Sequence, residues 1–338
     1  MPDPLCQIPA GTPVLVTGAT GFTGRVLVRK LAAAGAKITA LARPSSNLEP
    51  LQDLPIHWVR GDIFNPAVIQ SAAGDAEYIF HLATPYREGG SSGDNFQRVH
   101  VDGTRLLAEC AARNPRFKRF IHVSTVGVHG HVPGEPANEE APFAPGDPYQ
   151  ASKAEAELWM RDFGKRTGFP FTVIRPAAIY GPGDRRLLKL FKMASRGFML
   201  LFGRGRSYYH LVHVHDLTNI LMLAATHPRA AGEVFICGNP DCTTVPQIGQ
   251  TIATALGRRL RILRLPIGPL VAAAILCEWL CRPLGIDPPL HRRRVAFFTK
   301  DRLFDTRKLR DRLGYTMEYT SEKGLTETAH WYRKHGWI

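Results

Sequence analysis

No stretch of this 338-residue chain reaches the roughly 18 uncharged apolar residues that a membrane-spanning helix needs. The amino terminus, MPDPLCQIPAG, lacks the charged-then-apolar build of a secretory leader. None of the six cysteines (6, 110, 237, 242, 277 and 281) forms a C-x-x-C pair, and Cys277 and Cys281, four apart, do not make a zinc site by themselves. Reduced, mostly buried thiols and no leader make the cytoplasm the expected location, and no metal is expected. Acids are scarce beside bases, 29 against 43, for a net charge of +14. That excess calls for an anionic partner. The basic clusters are not interleaved with aromatics as a nucleic-acid module requires, which leaves cofactor phosphates and an anionic membrane surface. Internal repeats and long low-complexity linkers are absent too. At 44% hydrophobic and 21% charged, the chain can bury its core as one large domain or as two lobes.

What is present begins with VLVTGATGFTG, residues 14–24. Extended apolar residues run into a turn with glycines at 18, 21 and 24, and a helix face follows (Val26, Leu27, Leu31). A strand entering a glycine-rich turn at a helix start suits a phosphate. Main-chain N–H groups are unpaired there, the helix dipole is positive, and missing Cβ atoms let a pyrophosphate approach. The spacing is G-x-x-G-x-x-G rather than G-x-G-x-x-G. The helix should stop at Gly35, and a second strand is expected over 37–42. An acid at that strand's end would hold a ribose 2′-hydroxyl, whereas an arginine accommodates a 2′-phosphate. Here the sequence reads Ala42-Arg43-Pro44-Ser45-Ser46, so NADP(H) is favoured and NAD(H) is the alternative.

A third strand is expected over 56–60, ending at Gly61-Asp62-Ile63. Asp62 could accept from an adenine amino group, or it could cap the helix starting near Pro66. YIFHL, residues 78–82, reads as a strand covered on both faces and leads to Leu82, Ala83 and Thr84, where small residues admit a nicotinamide. His81 reads as a core histidine. A helix over 95–113 and a strand over 120–124 follow, with Ser124 and Thr125 at the carboxyl end, the edge where ligands bind in parallel sheets. Strands and helices thus alternate as in a parallel α/β sheet with crossover helices.

After a loop over 130–148, Tyr149 and Lys153 fall one helical turn apart, about 5–6 Å between Cβ atoms. A free phenol, with a pKa of about 10, is a poor base. A neighbouring ammonium favours the phenolate, which makes the pair a candidate acid/base couple for a secondary alcohol. Alone, Y-x-x-x-K arises readily by chance and reads as a solvated helix face; after a Ser/Thr-bearing strand end and a nucleotide turn, the context favours the couple.

Taken as a set, TGATGFTG, GDI, HLAT, VDGT, VSTVGVHG, YQASK and RPAAIYGPG resemble the extended short-chain dehydrogenase/reductase family. The resemblance implies a Rossmann-type doubly wound parallel sheet, with residues 1–182 binding NAD(P) and 183–338 forming a smaller, substrate-binding lobe whose elements interleave with it. It implies Tyr149 as acid/base, Lys153 as the group that lowers its pKa and holds the nicotinamide ribose, and Thr125, with Ser124 its rival, as the hydroxyl on the substrate oxygen. Gly18, Thr20, Gly21, Phe22, Thr23 and Gly24 would hold the pyrophosphate. Asp62 and Ile63 would border the adenine, and Pro176 and Ile179 the nicotinamide. Tyr86, Thr125, Tyr180 and Arg185 are the substrate-side candidates. Two positions depart from the family: His100 stands where an asparagine is usual, and Ala178 stands where sugar-nucleotide enzymes place the asparagine that meets their substrate.

Past Pro182 the alternation lapses. A basic helix over 185–193 and a strand over 208–214 are expected. The segment 265–277, LPIGPLVAAAILC, is apolar, with Arg258, Arg259, Arg261 and Arg264 before it and Arg282 and Arg292 to Arg294 after it. It could rest on an anionic membrane through 258–294, roof an apolar pocket, or be a core helix. In this region the chain resembles the 3β-hydroxysteroid and sterol dehydrogenase branch. The expected activity is therefore NAD(P)-dependent oxidation or reduction of an apolar alcohol or ketone, with decarboxylation a further option where a carboxyl group adjoins the oxidised carbon. Sugar-nucleotide epimerisation or dehydration, dihydroflavonol-type ketone reduction and a non-catalytic cofactor sensor are the alternatives. A homodimer is allowed.

Overall fold

A computed structural model describes residues 8–85, 93–132, 134–203, 205, 207–281, 288 and 302–338. Seven parallel strands form its central sheet. The first half supplies β1 (Pro13–Thr17), α1 (Phe22–Ala33), β2 (Lys37–Ala42), β3 (Ile56–Arg60), α2 (Pro66–Ala73), β4 (Tyr78–His81), α3 (Gly93–Gln97), α4 (Gly103–Ala111), β5 (Arg119–Val123), α5 (Pro148–Thr167) and β6 (Phe171–Pro176). Then come β7 (Ala178–Tyr180), α6 (Leu188–Ser195), β8 (Phe198–Phe202), β9 (Tyr208–Tyr209), β10 (Leu211–His213), α7 (Val214–Thr226) and β11 (Val234–Cys237). The last elements are β12 (Thr243–Thr244), α8 (Val245–Ala255), β13 (Arg261–Leu265), α9 (Ile267–Cys281), α10 (Arg307–Leu313) and α11 (Ser321–Lys334).

The sheet order is β11-β6-β5-β4-β1-β2-β3, so the chain reverses direction between β1 and β4. That switch point opens a crevice at the carboxyl ends of the strands. Within β1, Val14 and Val16 join one apolar cluster with Leu27, Val28 and Phe80, while Leu15 joins another with Ile79, Phe120 and Val173. Helices therefore cover both faces, and the strands are apolar at consecutive positions. A third cluster, including Tyr180, Phe191, Met199, Ile248 and Tyr332, forms the core of a smaller lobe. Elements beyond residue 182 also return to the sheet: β11 is its edge strand, paired with β6.

Local chemistry sets the boundaries. Asp147 accepts from the Gln150 N–H and Pro148 occupies the first turn, so α5 starts there, and Gly168 at φ +71° ends it. Helix α2 is capped by Asn65, which accepts from Ala67 and Val68. The cap expected of Asp62 is thus supplied three residues later. The helix expected over 95–113 is broken by a π-helical turn, Arg98–Asp102, and the strand expected over 208–214 is split at His210 into β9 and β10. In the 185–193 segment the helix begins only at Leu188. Pro269 sits in the first turn of α9, where its missing N–H has no acceptor to lose.

Three buried histidines make this fold acid-sensitive. Burial, and then the Lys153 charge, hold His81 down to about 3, and the same causes keep His122 well below its usual value. Burial, then His215, Lys30 and Lys323, hold His213 down to about 3. Each is neutral when folded and takes a proton more readily when unfolded, so the unfolded state binds more protons below the ordinary value of 6.5. Stability is full above that value and falls as the pH is lowered toward about 3. Urea midpoints measured through this window should decline steadily, and a flat profile would contradict the assignment.

Candidate active site

The switch point is built from main chain. Gly18, at φ +73°, has no room for a side chain: a Cβ would lie 2.9 Å from the Ala83 nitrogen and the Leu82 carbonyl carbon. A Cβ on Gly24 would overlap the Gly18 carbonyl oxygen, so α1 packs flush on the turn. The Gly21 N–H closes the turn on the Gly18 carbonyl at 3.0 Å. No side chain caps the amino end of α1. Thr20, Phe22 and Thr23 are half-buried around it, and Arg25 donates to the Thr20 carbonyl at 2.8 Å. This cradle, with its open donors and no Cβ in the way, fits a dinucleotide pyrophosphate. Beside it Thr17 accepts from the Ala83 N–H at 3.2 Å and bonds His81 Nδ1 at 2.8 Å, which fixes the exit of β4 through Leu82, Ala83 and Thr84.

At the far end of the crevice, Ile63 is buried against Gly103 while Asp62 is exposed. Arg43 is exposed just past β2. Sequence reasoning missed its companion. Arg60 at the end of β3 donates to the carbonyls of Pro44 at 2.8 Å and Ser46 at 3.3 Å, folding the 43–46 turn around a second cation. Its only signal was a basic residue closing a strand next to the one expected to choose the cofactor.

The other side of the switch point carries the candidate chemistry. Lys153 is buried and donates from Nζ to the Val123 carbonyl at 2.9 Å, which ties α5 to the end of β5. Tyr149, half-buried one turn earlier, has its ring held edge-on by Phe96 and His100, at 5.8 and 5.3 Å between centroids. His100 does more than fill the place of an asparagine. Its Nδ1 meets Ser152 Oγ at 2.8 Å and its Nε2 meets Thr84 Oγ1 at 2.9 Å, so one imidazole joins the β4 exit to the Tyr149 helix.

Ser124 and Thr125 separate cleanly. The Ser124 hydroxyl is buried and donates to Glu157 at 2.7 Å. Thr125 is half-buried, and its Oγ1 accepts from the Gly127 N–H at 3.0 Å. That bond uses the oxygen as acceptor and leaves the hydroxyl proton able to donate elsewhere. Glu157 itself is fully buried in an ion pair with Arg175, whose guanidinium also donates to the Glu139 carbonyl at 2.8 Å and meets His129 Nε2 at 3.0 Å.

Pro176 is buried at the end of β6, and Ile179 is half-buried on β7. Tyr180 is fully buried, its ring 5.3 Å from that of His213 and its hydroxyl beside Gly324 of α11. It packs the lobe from within, so the substrate contact expected of it is not what this placement offers. Arg185 is exposed over the Trp337 ring at 5.5 Å, at the carboxyl terminus of the chain. Tyr86 lies outside the described residues. So do Arg282 and Arg292 to Arg294. Among the described residues no cluster of His, Cys, Asp or Glu could hold a metal ion.

A parallel sheet with a side-chain-free phosphate turn at its switch point, facing a Tyr and a Lys one helical turn apart, defines a nicotinamide-dinucleotide enzyme of the extended short-chain type. The model of the NAD dependent epimerase/dehydratase family matches residues 14–238, and the chain belongs to that family. It is 31% identical over 329 residues to a ceramide reductase of Caulobacter vibrioides, covering 96% of each chain. It is 28% identical to the 3beta-hydroxysteroid-dehydrogenase/decarboxylase isoform 1 of Arabidopsis thaliana, over 93% of this chain and 78% of that one. A dTDP-glucose 4,6-dehydratase from Bacillus anthracis, solved in complex with NAD, superposes with a TM-score of 0.75 at 26% identity, over 96% of this chain and 97% of that one.

Proposed function

We propose that this enzyme interconverts an apolar secondary alcohol and its ketone, of the 3β-hydroxysteroid or sterol type, with NADP(H) preferred. The nicotinamide supplies or accepts the hydride when bound. Tyr149 exchanges the proton at the substrate oxygen, and Thr125 donates its free hydroxyl proton to that oxygen. Lys153 holds the nicotinamide ribose in this reading, and its bond to the Val123 carbonyl supports a fixed amine. The observation that carries the substrate class is Ala178. Its N–H is taken by the His210 carbonyl at 3.1 Å and its side chain is a methyl, so it offers no amide to a nucleotide-sugar. The lipid-directed names of two relatives support the same class. Where the substrate bears a carboxyl group next to the oxidised carbon, loss of carbon dioxide can follow through the enol of the ketone. A peripheral contact of 258–294 with an anionic membrane would bring such substrates to the protein, and no described helix is long and apolar enough to cross one.

The test is a panel of sterols, flavonoid-like ketones and nucleotide-sugars, followed by nicotinamide absorbance with each cofactor. Turnover of a sterol with NADP(H) is the expected result, and Arg43→Ala should erode the preference for NADP(H) over NAD(H). Turnover of a UDP- or dTDP-sugar would replace this reading. Equal affinity for the two cofactors, unaltered by Arg43→Ala, would end the cofactor argument.

A further inference from the structure

Helix α9 leaves a large apolar face exposed. On a surface helix of a soluble protein the large apolar side chains face the core and the polar ones face water. Here Ala274 and Glu278 are the buried residues, flanked on the same stripe by half-buried Ile267, Leu270, Val271, Cys277 and Cys281. The opposite face presents Ile275, Leu276, Trp279 and Leu280, exposed by 42%, 56%, 71% and 52%. The helix is apolar all round, yet the two side chains it buries are an alanine and its one acid, Ala274 and Glu278.

The neighbouring ribbon continues the pattern. Strands β8 and β13 pair in parallel with Phe198 opposite Arg261 and Leu200 opposite Leu263. Side chains two apart share a face, so Phe198, Leu200, Arg261 and Leu263 lie on one side of the ribbon. Phe198 and Leu263 are exposed there, and Met199 and Leu201 are buried beneath. Six of the eight large apolar side chains exposed among the described residues belong to this ribbon and α9. Arg258, Arg259, Arg261 and Arg264 are exposed in the same short stretch, and none is in an ion pair among the described residues.

We propose that the outer face of α9 and the β8–β13 ribbon seats the protein on an anionic lipid bilayer surface, with the helix lying in the headgroup region. Three observations select this occupant. A tryptophan with exposed leucines is interfacial chemistry, an apolar body with one polar N–H. Uncompensated arginines beside it are attracted to anionic headgroups. A second copy is the poorer partner, because an isologous contact offers each subunit only the same face, and the one acid in 258–281, Glu278, is buried and leaves the arginines no counter-charge there. The proposal deepens the membrane contact named above and gives it a surface, but it holds whatever the substrate.

The experiment is co-sedimentation of the full chain with phosphatidylcholine vesicles, with and without phosphatidylglycerol, at low and high salt. The unaltered protein should sediment with the anionic vesicles at low salt, much less at high salt, and not with phosphatidylcholine alone. Leu276→Ser with Trp279→Ser should abolish the binding, and Arg258→Gln with Arg259→Gln should weaken it about thirtyfold. Both variants should keep the urea midpoint and NADP(H) affinity of the unaltered protein, which separates loss of the surface from loss of the fold. No sedimentation of the unaltered protein with anionic vesicles at low salt overturns the proposal, as does binding indifferent to both variants. A dimer in solution that Trp279→Ser dissociates would give the face to a second copy instead. Failure to turn over any sterol leaves this proposal standing, because the vesicle assay uses no substrate.

Discussion

Tyr149→Phe is expected to lower hydride transfer by about 10²–10⁴-fold, the usual contribution of a positioned acid/base group. The substitution is mild in every other respect. Phenylalanine keeps the ring that Phe96 and His100 hold edge-on and removes only the oxygen. The drop should therefore appear in single-turnover nicotinamide absorbance, while cofactor affinity by fluorescence titration stays close to that of the unaltered protein. Lys153→Met provides the contrast. Its amine is tied to the Val123 carbonyl at the cofactor's edge of the sheet, so affinity and turnover should fall together. Undiminished turnover by Tyr149→Phe would remove the phenol from the chemistry.

The second large effect is on stability. Glu157 and Arg175 are both fully buried and paired, and the same carboxylate accepts from Ser124. Glu157→Ala leaves a guanidinium and a serine hydroxyl buried with one partner fewer. Breaking a buried pair from one side costs about 3–5 kcal/mol. Urea denaturation should show this as a lower midpoint with an unchanged slope. The double replacement Glu157→Leu with Arg175→Met should recover much of the loss, because no charge is then left without a counter-charge. A single replacement with no effect on the midpoint would mean that water reaches this site. The pair also has a geometric role, since it links the Tyr149 helix to the strand that ends at Pro176.

Much of this was legible because it is local. The glycine turn, the first five strands and the start of α5 each depend on residues a few positions apart, through capping, periodicity or the absence of a Cβ. Thr125 was preferred over Ser124 by counting back from Val128-His129-Gly130, but what each hydroxyl bonds was not local: the partner of Ser124 is Glu157, 33 residues away. The same holds for the cap of α2, where Asp62 and Asn65 are both good N-caps and the chain path chooses Asn65. Tyr180 follows the motif that flanks the nicotinamide, but neighbouring strand residues point to opposite faces, and its own face meets α11. The outward face of α9 could not be phased at all. A helix apolar on every side carries no period from which to read which side is in.

The edge strand β11 has a consequence for how the protein is made. Strands β1 to β6 are complete by residue 176, yet the open side of β6 is covered only by Val234–Cys237, after α6, α7 and several short strands have been synthesised. For that interval a nascent chain carries a bare row of main-chain donors and acceptors next to its most apolar strands, a template for pairing with another chain. Ribosomes translating one message would hold such templates close together. Crowded synthesis is thus a condition that exposes this architecture to misassembly.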